Sequence, residues 1–205
     1  MQTCRFGPLT VAYDDRVLEP RPWTYAQSTW AAEIAAQSAP GPLLELCAGA
    51  GHIGLAAAVL ADRDLVQVEA DPVAAEYARG NAARAGYAAR VEVRAQRLED
   101  AVGAHERFGV IVADPPYLPT GEVPRWPDDP VTAIDGGGDG LGVIRACLAV
   151  AGAHLSSDGR LVLQVAGVAQ ADTVAAMLAR ERTALQVLET RVHDEARAIM
   201  LIGRA

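Results

Sequence analysis

The residues best placed to do chemistry form one short run, Asp114-Pro115-Pro116-Tyr117, directly behind the apolar stretch Val110–Ala113. Proline has no N–H and cannot continue a sheet ladder, so a strand must stop there and the chain must leave it stiff and extended. One carboxylate, two backbone carbonyls and one aromatic ring are thereby held in a set geometry. The Asp114 carboxylate and the Pro115 carbonyl can both accept hydrogen bonds from one planar –NH2 group. The Tyr117 ring can stack on the plane that carries it. Accepting both N–H bonds draws electron density toward that nitrogen and aims its lone pair outward. This is positioning plus electrostatics, with no covalent intermediate. Asp114, Pro115, Pro116 and Tyr117 are the candidate catalytic group.

A second stretch, LLELCAGAGHIGL, begins at Leu43. Gly49, Gly51 and Gly54 match G-x-G-x-x-G, and Glu69 follows at the end of the next apolar run. Glycines let the backbone approach a ligand closely, and such an acid can accept hydrogen bonds from ribose hydroxyls. The pattern fits NAD, FAD or S-adenosylmethionine. Glu45, just before the turn, favours the last of these. A carboxylate suits the cationic amino group of a methionine tail and sits poorly beside a pyrophosphate. Cys47 stands where the commoner methyltransferase pattern has its first glycine, and it reads as packing, not as a nucleophile. Many methyltransferases set an acid or its amide against the adenine amine after the third strand. Here Gln96, Arg97 and Leu98 are the candidates, with the register open. The candidate cofactor contacts are Glu45, Cys47, Gly49, Gly51, Glu69, Ala70, Gln96, Arg97 and Asp114.

These residues need a frame. From Gly41 onward, short apolar runs alternate with longer helical stretches. Strands are expected at Leu43–Cys47, Leu65–Glu69, Val91–Arg94, Val110–Ala113 and Arg160–Val165. Helices are expected from Gly54 to Ala61, Pro72 to Ala85, Leu141 to Leu155 and Val168 to Arg180. Asp71 caps the second of these with Pro72 at its first position, and Gly86 ends it. Ser157-Asp158-Gly159 reads as a turn. Leu185–Arg191 and Ala198–Ile202 read as a closing antiparallel hairpin. The alternation implies an α/β fold with a parallel sheet covered on both faces. The hairpin at one edge makes it a seven-stranded mixed sheet. Ligands in such folds sit beyond the carboxyl ends of the strands, at the switch in strand order. Residues 1–40 are expected to form a lid segment packed on the core, and 41–205 the cofactor-binding domain, one domain in all.

Composition narrows the partners. The 205 residues are 51% hydrophobic, which fits a globular chain. No apolar run approaches the roughly 20 residues of a membrane span, and the N-terminus lacks a signal-peptide pattern. No membrane partner and a cytoplasmic location are therefore expected. Cys4, Cys47 and Cys147 show neither a disulfide framework nor zinc spacing, and the four histidines are scattered, so no metal is expected. His52 reads as a loop residue. The net charge is -8 and all 18 basic residues are arginine. That balance disfavours nucleic acid as a partner, although a local arginine patch keeps it open. Oligomeric state is not legible.

With these residues in view, the chain resembles the Rossmann-like class I methyltransferases. Its Asp-Pro-Pro-Tyr is similar to the signature of those acting on planar nitrogens. DPVTAIDGGGDGL (Asp129–Leu141) is similar to the E-P-x-x-A-L-x-G-G-x-D-G-L segment of HemK/PrmC-type protein-glutamine methyltransferases. LEPRPWT (Leu18–Thr24) is similar to their P-R-P-x-T segment. The resemblance implies methylation, from S-adenosylmethionine, of a glutamine side-chain amide in a translation release factor. Asp114, Pro115 and Tyr117 would hold the amide, and Gly49, Gly51 and Glu69 the cofactor. Two departures follow. The family has Asn at Asp114, and an ionised Asp offers only acceptors. About 40 residues precede the first strand, which implies a short form without the helical docking domain of bacterial members. A nucleobase exocyclic amine or a small molecule therefore stand as alternative acceptors. The loop between Tyr117 and Gly140 is expected to form the substrate wall, with Arg125 and Trp126 as contacts. Arg21 and Trp23 are expected to close the site from the N-terminal side.

Overall fold

The computed structural model describes residues 1–181 and 183–205. Five strands lie parallel: β3 (Leu43–Leu46), β4 (Leu65–Glu69), β5 (Val91–Ala95), β6 (Phe108–Ala113) and β7 (Leu155–Val165). The hairpin β8 (Leu185–Asp194) and β9 (Arg197–Arg204) joins them antiparallel through β9 on β7. The order across the sheet is β5-β4-β3-β6-β7-β9-β8. Strand β3 is the switch point: the chain leaves it toward β4 on one side and returns to β6 on the other. The loops leaving β3 and β6 diverge there and open a crevice at the carboxyl ends.

The central strands are mostly apolar because helices cover both faces, with Glu45 and Gln67 as buried polar exceptions. On one side lie α1 (Tyr25–Gln37), α2 (His52–Ala61) and α3 (Pro72–Arg84). On the other lie α5 (Gly142–His154) and α6 (Gly167–Glu181), and a single turn, α4 (Val131–Ile134), sits in the long loop after β6. Helix α3 starts where its cap dictates: the Asp71 carboxylate accepts from the N–H groups of Val73 and Ala74 at 2.7 and 3.4 Å. It stops at Gly86, whose φ of +71° turns the chain so that Tyr87 N–H returns to the Ala82 carbonyl at 2.8 Å.

Two expectations change. The first 40 residues contain an antiparallel hairpin of their own, β1 (Gln2–Phe6) and β2 (Leu9–Tyr13), turning at Gly7, besides α1. The hairpin is pinned by Asn81 of α3, which accepts from Ala12 N–H at 2.7 Å and donates to the Ala12 and Ala50 carbonyls at 3.0 and 2.9 Å. One buried amide thus ties the N-terminal segment to the glycine loop. The second change is Ser157-Asp158-Gly159, which forms no turn. The three residues lie within β7 as a bulge, since β6 pairs Phe108 with Leu155 and then Val110 with Arg160, where the regular ladder begins, and a Cβ at Gly159 would lie 2.9 Å from the Phe108 carbonyl. That glycine serves a close strand approach instead.

Candidate active site

A crevice of about 640 Å³ lies over the ends of β3 to β6. Its floor is the loop leaving β3. Cys47, Gly49 and Gly51 all adopt left-handed backbone, at φ of +57°, +54° and +77°. The two glycines serve different ends. A Cβ at Gly51 would meet Gln67 Nε2 at 2.7 Å and Ala78 Cβ at 2.8 Å, so Gly51 is required by packing. A Cβ at Gly49 would meet nothing within 4 Å, and Gly49 lines the crevice, so its bare backbone faces open space. Cys47 carries a side chain in a conformation that costs an L residue about 1 kcal/mol or more. Its Sγ lies 3.9 Å from Cys147 Sγ of α5, and that thiol contact together with burial raises its pKa.

The acid at the end of β4 braces this floor. Glu69 Oε2 accepts from Gly49 N–H at 2.7 Å, and Oε1 accepts from Asp71 N–H at 2.8 Å. Burial raises its pKa despite these bonds. Each oxygen keeps a lone pair, so the carboxylate can still accept hydroxyl donors from within the crevice. Ala70 lines the wall beside it, and Gln96, Arg97, Leu98 and Glu99 line the far end after β5.

Across the switch point stands the Asp114-Pro115-Pro116-Tyr117 corner. Its position is fixed from two sides. The fully buried Gln27 of α1 donates from Nε2 to the carbonyls of Ala113 and Val162 at 2.8 and 3.1 Å, clamping the last residue of β6. The glycine-rich loop 136–140 packs against the corner's backbone. A Cβ at Gly140 would lie 2.5 Å from the Tyr117 carbonyl, and one at Gly136 would lie 2.8 Å from that of Pro116. Gln170 of α6 donates to the Tyr117 carbonyl at 3.0 Å. Amid this fixed backbone the Asp114 side chain has no hydrogen-bond partner among the described residues, and it lines the crevice with Pro116. Burial pushes its pKa up to about 7. Burial likewise raises the Tyr117 phenol.

The structure brings Cys47, Gly49, Glu69, Ala70, Gln96, Arg97 and Asp114 onto one crevice, and it corrects other placements. Glu45 does not face it. Its Oε1 accepts from Gly54 N–H at 2.7 Å and its Oε2 from Gln67 Nε2 at 2.6 Å, beneath the loop and 2% exposed. Arg125 pairs with Glu122 and Trp126 is 52% exposed, both outside the crevice. The long loop reaches the site through Pro130, Thr132 and Ala133 instead. Arg21 donates to both Asp129 oxygens at 2.7 and 2.9 Å, joining the N-terminal segment to that loop. Trp23 lies under Arg197 of β9, 4.3 Å from ring centroid to guanidinium carbon. Arg197 carried no sequence signal, because only the hairpin's docking brings it near Tyr117. His52 is no loop residue: it opens α2, buried against Phe6. Among the described residues no cluster of metal-ligating side chains occurs, and no helix is long and apolar enough to cross a membrane.

Comparison with known proteins agrees with this frame. A family model described as Conserved hypothetical protein 95 matches residues 27–123. The chain is 36% identical to the release factor glutamine methyltransferase of Mycolicibacterium smegmatis over 85% of its own length and 63% of that protein's. It is 36% identical to the ribosomal protein uL3 glutamine methyltransferase of Bordetella pertussis over 60% of its length and 42% of that protein's. The chain thus spans between about two fifths and two thirds of these relatives. Its fold matches the ribosomal protein L11 methylase of Lactobacillus delbrueckii subsp. bulgaricus with a TM-score of 0.66 and 16% identity, covering 92% of this chain and 81% of that one. The fold is that of the class I methyltransferases, and the chain's sequence similarity lies with the glutamine methyltransferases of release factors and ribosomal protein uL3.

Proposed function

We propose that this protein is an S-adenosylmethionine-dependent N-methyltransferase acting on the carboxamide nitrogen of a glutamine side chain in a protein of the translation apparatus. The observation that carries the reading is the unpartnered Asp114 carboxyl, facing the same crevice as the bare backbone of Gly49 and the carboxylate of Glu69. The residues fit this cofactor. Glu69 offers acceptors to a ribose, and Gln96 to Glu99 form a wall for a purine. When bound, S-adenosylmethionine supplies an electrophilic methyl on a sulfonium centre.

The chain's own residues do the rest. Asp114 and the Pro115 carbonyl accept the two N–H groups of the incoming nitrogen, and Tyr117 supports its plane. Fixing that nitrogen within reach of the methyl converts a bimolecular encounter into an effectively unimolecular one. Close to its raised pKa, Asp114 is present in two forms. The neutral acid offers one donor and one acceptor, as an asparagine does, and so can also meet the oxygen of a carboxamide. The ionised form only accepts, which favours a second reading, an exocyclic amine without a neighbouring carbonyl.

The two readings separate in one experiment. The enzyme is incubated with methyl-labelled donor and with release factor, ribosomal protein uL3 or total RNA, and the labelled product is digested for mass spectrometry. Methyl on a glutamine, lost with Asp114→Ala, supports the first reading. Methyl on a base supports the second. Label in neither, from enzyme that binds the donor, contradicts both.

A further inference from the structure

Two thiols meet beside the floor of the crevice. Cys47 follows the last residue of β3, and Cys147 stands in the second turn of α5, with their sulfurs 3.9 Å apart. Both are free thiols. Their exposure differs. Cys147 is completely buried among the apolar residues between α5 and the sheet, whereas Cys47 is half-buried and lines the crevice. A small solute entering the crevice therefore meets Cys47 first. Cys4, the third thiol, packs against the apolar clusters around the N-terminal hairpin, away from this pair.

The backbone gives a second, independent sign. Cys47 holds a φ of +57°, where glycine sits freely and cysteine is strained. That strain lies two residues before Gly49, whose N–H is held by Glu69 at 2.7 Å. A shift of Cys47 is thus passed directly to the floor of the crevice. On the facing side, Gly142, Val143 and Ala146 of α5 line the same crevice, so the two thiols join its floor to its wall.

We propose that Cys47 and Cys147 are a site of oxidative cross-linking, closed by hydrogen peroxide in the cofactor-free protein, and that the cross-link draws the glycine loop toward α5 and weakens cofactor binding. In the first step the Cys47 thiolate attacks one peroxide oxygen. An S–O bond forms, the O–O bond breaks, and the departing hydroxide leaves as water with the proton that Cys47 gave up. In the second step the Cys147 sulfur attacks the Cys47 sulfur. The S–S bond forms, the S–O bond breaks, and hydroxide leaves as a second water with the Cys147 proton. One peroxide is reduced and two thiols are oxidised. The contact with Cys147 and burial raise the Cys47 pKa, so the thiolate is a minor species and the first step is slow. A bound cofactor covers Cys47, and by linkage a ligand that the cross-link weakens also opposes the cross-link. The effect on affinity rests on the S-adenosylmethionine reading above; the cross-link itself does not.

The test treats the wild-type protein with excess hydrogen peroxide, removes the peroxide, and reads both covalent state and affinity. Alkylation under denaturing conditions, followed by peptide mass spectrometry, is expected to show Cys4 open to the reagent and Cys47 joined to Cys147. Calorimetry is expected to show a loss of about tenfold in affinity for S-adenosylhomocysteine, recovered with dithiothreitol. S-adenosylmethionine present during the treatment is expected to prevent the cross-link. Cys147→Ala is expected to bind S-adenosylhomocysteine as wild type does before treatment. After treatment its Cys47 has no resolving thiol and advances to the sulfinic acid, which dithiothreitol does not reverse. Wild-type Cys47 that likewise ends as sulfinic acid, or that stays reduced, overturns the proposal. So does a cross-link that leaves affinity unchanged. The mass measurement on the unaltered protein decides the cross-link even if the variant fails to fold. Reduced wild-type protein that does not bind S-adenosylhomocysteine contradicts the cofactor reading itself, an outcome distinct from these.

Discussion

The Glu45 carboxylate accepts the N–H of Gly54 at 2.7 Å across the glycine loop, and Gln67 Nε2 closes on its other oxygen at 2.6 Å. The acid of β3 is thus a brace under α2. Burial raises its pKa to about 7 against the pull of these two bonds. Glu45→Ala leaves both donors buried without acceptors and is expected to lower stability by about 2 to 4 kcal/mol. Glu45→Gln keeps an acceptor and is expected to lose less. Urea unfolding measures both, and cofactor affinity of the folded variants is expected to stay within a few-fold of wild type.

Glu69 is the acid that does face the crevice. Glu69→Ala removes an acceptor for a ribose and frees Gly49 N–H, and is expected to weaken S-adenosylhomocysteine binding by roughly tenfold or more. Calorimetry checks it. Unchanged affinity would place the nucleoside elsewhere.

Asp114 makes stability depend on pH. Its folded-state pKa, about 7, is raised above the ordinary 3.8 by burial. The folded state therefore binds more protons than the unfolded chain between about pH 4 and 7. Stability from this group is full below the unfolded pKa and lost as pH rises through the folded one. Asp114→Asn should therefore flatten the fall in melting temperature of the ligand-free protein between pH 5 and pH 8. A fall as steep as in wild type assigns the pH dependence to other groups.

Arg21 and Asp129 join the N-terminal segment to the long loop after β6. Both are partly exposed, at 29% and 16% of their side chains, so the pair is worth about 1 kcal/mol at most. Arg21→Ala is expected to change global stability little. It should raise hydrogen exchange in residues 128–135, as the loop loses an anchor to the N-terminal segment. Unaltered exchange would show that packing alone holds the loop.

Much of the frame was legible because it follows from local rules. The α3 cap at Asp71-Pro72, the stop at Gly86 and the apolar runs of β3, β4 and β6 each announce themselves within a few residues. The crevice was legible for the same reason: glycine turn and proline corner sit at strand ends, and sheet topology brings strand ends together. What failed depended on distant partners. Glu45 looks like a ligand acid until Gln67, 22 residues on, is seen to hold it. Ser157-Asp158-Gly159 looks like a turn until Phe108 is seen to need the glycine's space. Gln27, His52 and Arg197 gain meaning only from what packs on them. The β1–β2 hairpin is two five-residue strands whose amide partner lies 69 residues away in α3.

The central claim is that the Asp114 corner and the Gly49 floor face one another across the cofactor. A crystal structure with S-adenosylhomocysteine bound tests it most directly. The account predicts the adenosine ribose on Glu69 and the sulfur turned toward the Asp114 carboxyl, with room for one planar nitrogen between them. A sulfur turned away from Asp114, or a nucleoside bound outside the crevice, would contradict it.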